Sequence, residues 1–221
     1  VVNETKVIPA RLMLKKESGG VVRVLYTEKY KTYMHVLANK KLTPGSKLWL
    51  TDQIYFTVKS NESNKFTLSS PKGYLLKPSF SLEHLYKILE EYGGTPIPPY
   101  IKYSPLKEKE LKEKYQTIFA KKQGSVAAPT ASLHFTSRLF KKLQQAGIET
   151  HFITLHVGLG TFAPLTEENI KSGTLHKEYY EIDKKTAKAL NAAKKEGRPI
   201  IAVGTTTVRT LESAGDENGI L

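Results

Sequence analysis

Residues 136–160 run TSRLFKKLQQAGIETHFITLHVGLG, and their reading decides the fold class. Thr136 is a residue type that caps a helix start; Leu139, Phe140 and Leu143 follow at helical spacing, and Gly147 supplies a stop. HFITLHV is then an apolar run of strand length that passes straight into glycines. The same alternation continues downstream. Asp183 is placed to cap KKTAKALNAAKKE, Gly197 ends it, PIIAVG is expected as another strand, and TTTVRTLES opens another helix. Such alternation predicts an α/β layer with a largely parallel sheet.

Residues 20–70 have a different pattern. GVVRVLYTE, YKTYMHVLA, KLWLT, QIYFTVK and KFTLSS are short, rich in β-branched and aromatic residues, and divided by turn signals such as TPGS and SNESN. A small antiparallel barrel or sandwich is expected there. Leu82, Leu85, Leu89 and Tyr92 then recur at helical intervals before Gly93, and TPIPPYI follows as a linker or rigid wall, since proline continues neither ladder. KEKELKEK, with mixed charge, is expected as a solvated helix face or a linker.

The chain has 221 residues, no cysteine and a net charge of +13. Disulfides, thiolate catalysis and cysteine metal sites are thereby excluded, and a cytoplasmic location is the expectation. No apolar run approaches the roughly 20 residues of a membrane span. The opening VVNETKVIPA, without an initiator Met, reads as a fragment cut into an existing strand. Residues 1–114 carry +9 of the excess and 115–221 carry +4, a surface suited to a polyanion or simply to solubility.

Candidate chemistry clusters after Tyr115. In GSVAAPTASLHFT, residues 124–136, small residues surround Pro129, and Thr130, Ser132, His134 and Thr136 alternate, so an extended segment would line one face with polar groups. HFITLHV runs into GLGTF and places His156, Gly158, Gly160 and Thr161 at the carboxyl end of a strand, where α/β sheets hold ligands. That glycine pair alone is also an ordinary tight turn, and Ala163 breaks the longer dinucleotide pattern. In AVGTTTVRTLE the three threonines meet a helix N-terminus; Thr206 and Arg209, the latter expected in the first turn, form a candidate anion site or an ordinary helix start. Among six histidines no H-x-x-x-H or H-E-x-x-H pair occurs, so no metal site is expected. His176 and Glu178 share a face if HKEYYEI is a strand.

YQTIFAKKQGSVAAPTASLHFT, ITLHVGLGTFAPL and AVGTTTVRTLES, in this order, together with NETKVIPARL and TPIPPYI, resemble the S-adenosylmethionine:tRNA ribosyltransferase-isomerase family of queuosine biosynthesis. The resemblance implies transfer of the ribosyl part of S-adenosylmethionine to the 7-aminomethyl group of preQ1 in tRNA. Epoxyqueuosine-tRNA is formed, and adenine and methionine are released. It implies an α/β fold of two domains: residues 1–10 and 103–221 as an α/β catalytic domain incomplete at both ends, interrupted by an inserted small antiparallel β-barrel domain. That insert spans 11–102, with its flanking helix and Pro-rich linker. The expected partners are tRNA carrying preQ1 and S-adenosylmethionine as co-substrate, with no further cofactor, no membrane and a monomeric state. His134, His156 and Tyr115 are the candidate catalytic residues. Thr130, Thr136, Gly158, Gly160, Thr161, His176, Glu178, Thr206 and Arg209 are the candidate substrate-binding ones. Ser132 departs from the family's usual Gly, as does Ala163 from its usual long polar residue. An S-adenosylmethionine-dependent RNA methyltransferase, or a non-catalytic RNA-binding protein, are the alternatives; the first lacks its expected Gly-rich loop here, and the second leaves the motifs after Tyr115 unexplained.

Overall fold

The computed structural model describes residues 1–61, 72–98, 100–101, 103–158, 167–173 and 177–221. The chain divides into two compact units, Val1–Val7 with Glu113–Leu221, and Ile8–Lys112.

The second unit is built on a closed six-stranded antiparallel barrel. Its strands are β3 (Arg11–Lys16), β4 (Val21–Tyr30), β5 (Tyr33–Ala38), β6 (Lys47–Trp49), β7 (Tyr55–Asn61) and β8 (Lys72–Pro78), joined around the barrel in the order β3-β4-β5-β8-β7-β6. Alternation does the work: Leu12, Leu14, Val22, Val24, Met34, Val36, Leu48, Phe56, Val58, Tyr74 and Leu76 point inward and are at most 1% exposed. Tyr74 keeps its ring in the core by accepting the Leu42 N–H at its hydroxyl (3.0 Å). The expected strand KFTLSS lies outside the described residues, and two strands the turn pattern did not mark, β3 and β8, complete the closure. Helix α1 (Leu85–Tyr92) follows a short 3-10 turn, buries Leu85 and Leu89, and stops at Gly93. A Cβ on Gly93 would lie 1.9 Å from the Pro9 carbonyl oxygen, so close backbone approach requires glycine there. The start of the TPIPPYI segment packs into this unit, where Thr95 is buried and donates to Glu108 and Arg11 donates to the Ile97 carbonyl (2.8 Å), while Tyr100 and Ile101 are exposed. Helix α2 (Glu108–Lys114) buries none of its residues, as its mixed charge predicts.

The first unit is an α/β assembly of short strands. β10 (Phe152–Leu155) lies between β1 (Val2–Asn3), parallel to it, and β11 (Tyr180–Glu181), antiparallel; β2 (Thr5–Val7) pairs in parallel with β9 (Lys122–Ser125). The sheet content is therefore mixed. Ala127, Ile153, Leu155 and Val157 form the apolar core, with Val1 and Ile182 against it. Helices α3 (Ser137–Gln145), α4 (Glu167–Ser172), α5 (Lys184–Lys195) and α6 (Thr205–Ala214) complete the unit. Thr136 caps α3 by accepting the Leu139 N–H (3.2 Å), and Asp183 caps α5 by accepting that of Thr186 (2.7 Å).

Four expectations are corrected. PIIAVG is not a strand: among the described residues its strand-like bonds run to Val1 alone, through the Val203 N–H and the Ile201 carbonyl, and one facing residue makes no ladder. Residues 124–136 are not extended throughout, because β9 ends at Ser125 and Thr130–His134 wind into a 3-10 turn. Among the described residues of HKEYYEI only Tyr180–Glu181 pair as a strand, so Glu178 precedes it. Arg209 is the fifth residue of α6, beyond its first turn of about 3.6 residues.

Candidate active site

The amino-terminal segment ties the two pairs of parallel strands together. Asn3, fully buried, accepts the Leu155 N–H at Oδ1 (3.1 Å) and donates from Nδ2 to the Leu155 carbonyl (3.0 Å), while Oδ1 also accepts the Thr5 N–H. One side chain thus imitates a strand partner for β10 and sets the direction in which Thr5 leaves β1. Gln116 does the same for Val7, donating to its carbonyl (2.7 Å) and accepting its N–H (3.0 Å). Tyr115, beside it, is buried at 8% exposure.

This arrangement surrounds His156 at the carboxyl end of β10. Its backbone N–H donates to the Tyr179 carbonyl (2.9 Å), and its ring stacks on Tyr179 with centroids 5.5 Å apart. The opposite approach is made by Gly124, where a Cβ would sit 2.7 Å from the imidazole. Any side chain at 124 would displace the ring, which explains the glycine better than a close ligand does.

The ring ends a chain of buried hydroxyls. Ser125 Oγ, fully buried, accepts the Val157 N–H (2.8 Å) and lies 2.6 Å from Thr5 Oγ1, which is 2.9 Å from His156 Nδ1. The hydroxyl hydrogen of Ser125 has one acceptor among the described residues, Thr5 Oγ1. Thr5 then has one acceptor for its own hydrogen, His156 Nδ1. Read outward from Ser125, this chain directs the Thr5 hydrogen to Nδ1, which corresponds to the tautomer with its proton on Nε2. Burial first, and then the Lys122 ammonium, hold the His156 pKa below the ordinary imidazole value, with Glu181 opposing to a smaller extent. Lys122 is itself fixed by Glu181 (3.0 Å) and Glu4 (3.9 Å), and the Glu181 bond raises its pKa.

A second set of contacts joins β10 to α6. Glu178, whose side chain is 4% exposed, accepts the Gly158 N–H (2.8 Å) at one oxygen and pairs with Arg209 through the other (2.5 Å). Gly204 enters α6 at a φ of 83°, and a Cβ there would come 3.2 Å from that of Ala131, so the 130–134 turn packs on the start of this helix. Thr207 and Thr210 turn their hydroxyls back to the Val203 and Thr206 carbonyls, while the Thr206 hydroxyl is buried with no partner among the described residues.

The sequence candidates separate accordingly. His156, Gly158, Glu178 and Arg209 are brought together, with Thr206 on the same helix as Arg209. Arg209 serves the carboxylate of Glu178, and the Gly158 N–H is directed to that carboxylate too. Thr130 and His134 are exposed on the 3-10 turn, and Thr136 is the cap of α3. Gly160, Thr161 and His176 lie outside the described residues. Sequence reading missed Asn3, Thr5, Ser125 and Lys122: their contacts span 32 to 152 positions in the chain and leave no local pattern. Among the described residues no group of His, Asp and Glu is arranged to hold a metal ion, and no helix is long and apolar enough to cross a membrane.

The chain thus combines a mixed α/β unit, an antiparallel barrel unit and a half-buried imidazole held by a hydroxyl chain. The family model for queuosine biosynthesis proteins matches residues 1–219, and the chain belongs to that family. It is 42% identical over 227 residues to a protein of Geotalea uraniireducens, 43% over 221 to one of Carboxydothermus hydrogenoformans and 40% over 223 to one of a Thermoanaerobacter species. Each of these is named S-adenosylmethionine:tRNA ribosyltransferase-isomerase. The matches cover 99–100% of this chain and 62–63% of the relatives, so the chain spans less than two thirds of their length.

Proposed function

We propose that the chain is the greater part of an enzyme that moves the ribosyl group of S-adenosylmethionine onto the 7-aminomethyl group of preQ1 in tRNA and isomerises it. Epoxyqueuosine-tRNA is the product, with adenine and methionine released. The names of the relatives support the reaction class, and the held imidazole of His156 supports the location. The sulfonium of S-adenosylmethionine acidifies the neighbouring C5′–H; loss of that proton starts elimination of adenine, the tRNA amine attacks the rearranged sugar, and methionine leaves as the epoxide closes. Charge accumulates on the departing adenine. A neutral imidazole that presents Nε2–H stabilises it by hydrogen bonding without having to be protonated first. His156 takes that role, and His134 is the candidate for the C5′ proton. Tyr115, Thr130 and Thr136 are the candidates for placing the sugar.

The observation that supports this reading is the Ser125–Thr5–His156 chain, which engages Nδ1 and leaves Nε2 as the ring nitrogen proposed to meet the substrate. The full-length enzyme, supplied with preQ1-tRNA and S-adenosylmethionine, should yield free adenine. S-Adenosylhomocysteine in its place would establish methyl transfer, and neither product would remove the catalytic reading.

A further inference from the structure

The barrel carries a surface that the chemistry at His156 does not use. Around the barrel β3, β6, β7 and β8 are consecutive neighbours, and these four strands contain no aspartate or glutamate. Their basic residues include Arg11, Lys15, Lys16, Lys47, Lys59 and Lys77. Cross-strand register sorts the outward side chains into rows. Lys15 faces Trp49, and Trp49 faces Tyr55; in the next row Lys47 faces Thr57, and Thr57 faces Lys77. The Trp49 and Tyr55 rings stand 4.8 Å apart, and the Lys47 ammonium lies over both, 5.7 Å and 4.6 Å from their centroids. Both rings are half-buried while Lys15, Lys59 and Lys77 are exposed.

Paired aromatic rings flanked by cations, on strands free of carboxylates, suit one kind of partner. Nucleobases stack on the ring faces, and the phosphates that accompany them meet ammonium groups one residue away. A protein partner would gain less from strands whose charged side chains are all basic, with Asp52 confined to the turn between β6 and β7. We propose that this face of the barrel binds unpaired nucleotides of the RNA substrate, with Trp49 and Tyr55 as the stacking platform and Lys15, Lys47 and Lys77 on the phosphates. The proposal rests on the reading that tRNA is the substrate, but its test needs no turnover.

Trp49 is the chain's only tryptophan, so its fluorescence reports on this face alone. Titration of the 221-residue chain with tRNA should quench Trp49 emission, with an affinity that falls as salt rises. Tyr55→Leu should weaken binding roughly fivefold or more. Lys15→Glu, at an exposed position, should weaken it and lower the salt slope by about one unit. Three results would overturn the proposal. Mobility-shift binding of tRNA with unchanged Trp49 emission and a parental affinity for Lys15→Glu would place the RNA elsewhere and leave the tRNA reading intact. Equal quenching by heparin, which has no bases, would remove stacking. Absence of binding at low salt would sink the surface and the tRNA reading together.

Discussion

At the scale of single residues, the proposed role of His156 depends on where one proton sits. Nitrogen-15 spectra of His156 should show Nδ1 unprotonated and Nε2 protonated near neutral pH, and Thr5→Val should abolish that preference. The titration midpoint should lie below the ordinary value of about 6.5. Lys122→Ala should raise it by removing the cation, while Glu181→Gln should lower it further. The sign for stability follows from the depressed pKa. The contribution of this histidine is present above about pH 6.5 and is lost as pH falls toward the folded value, because the unfolded chain then binds the proton more readily. Ser132 offers a contrasting case. Its hydroxyl is fully buried with no partner among the described residues. A buried hydroxyl without a bond costs about 1–3 kcal/mol. Ser132→Ala should therefore leave thermal stability unchanged or raise it, and a fall of several degrees would show that the hydroxyl is bonded.

At the scale of elements, the junction of β10 with α6 depends on Glu178. Arg209→Met would leave a carboxylate that is 4% exposed with one backbone N–H and without this cation. Since the Arg209 side chain is 33% exposed, solvent screens part of the loss, and about 1–3 kcal/mol in chemical denaturation is expected. Gly204→Ala should cost about 1–2 kcal/mol by forcing a side chain into a left-handed backbone against Ala131. The elements also show what local pattern conveys. Caps at Thr136 and Asp183 and the stop at Gly93 were legible because each is a short-range backbone requirement. PIIAVG misled because its composition suits a strand while only Val1 faces it. The alternating polar face of residues 130–136 was lost to a 3-10 turn, which buries Ser132 and leaves Thr130 and His134 exposed.

At the scale of the whole chain, composition conveyed the two kinds of fold and the charge excess, since hydrophobic period and net charge are sums over many residues. It conveyed half of the site. The glycines and histidines of the central motifs stood out, but the residues that hold His156 come from Thr5 and Ser125, 120 positions apart, and no period links them. The positive charge carries its own expectation: tRNA affinity should fall steeply with salt, and an affinity indifferent to salt would contradict phosphate contact. The central claim is that the imidazole held by Thr5 and Ser125 takes part in adenine departure. Its most direct measurement is adenine release from S-adenosylmethionine in the presence of preQ1-tRNA, comparing the full-length parent with His156→Ala after tRNA binding has been checked. Release is expected to fall by about a hundredfold or more with tRNA affinity retained, whereas release at the parental rate would contradict the assignment.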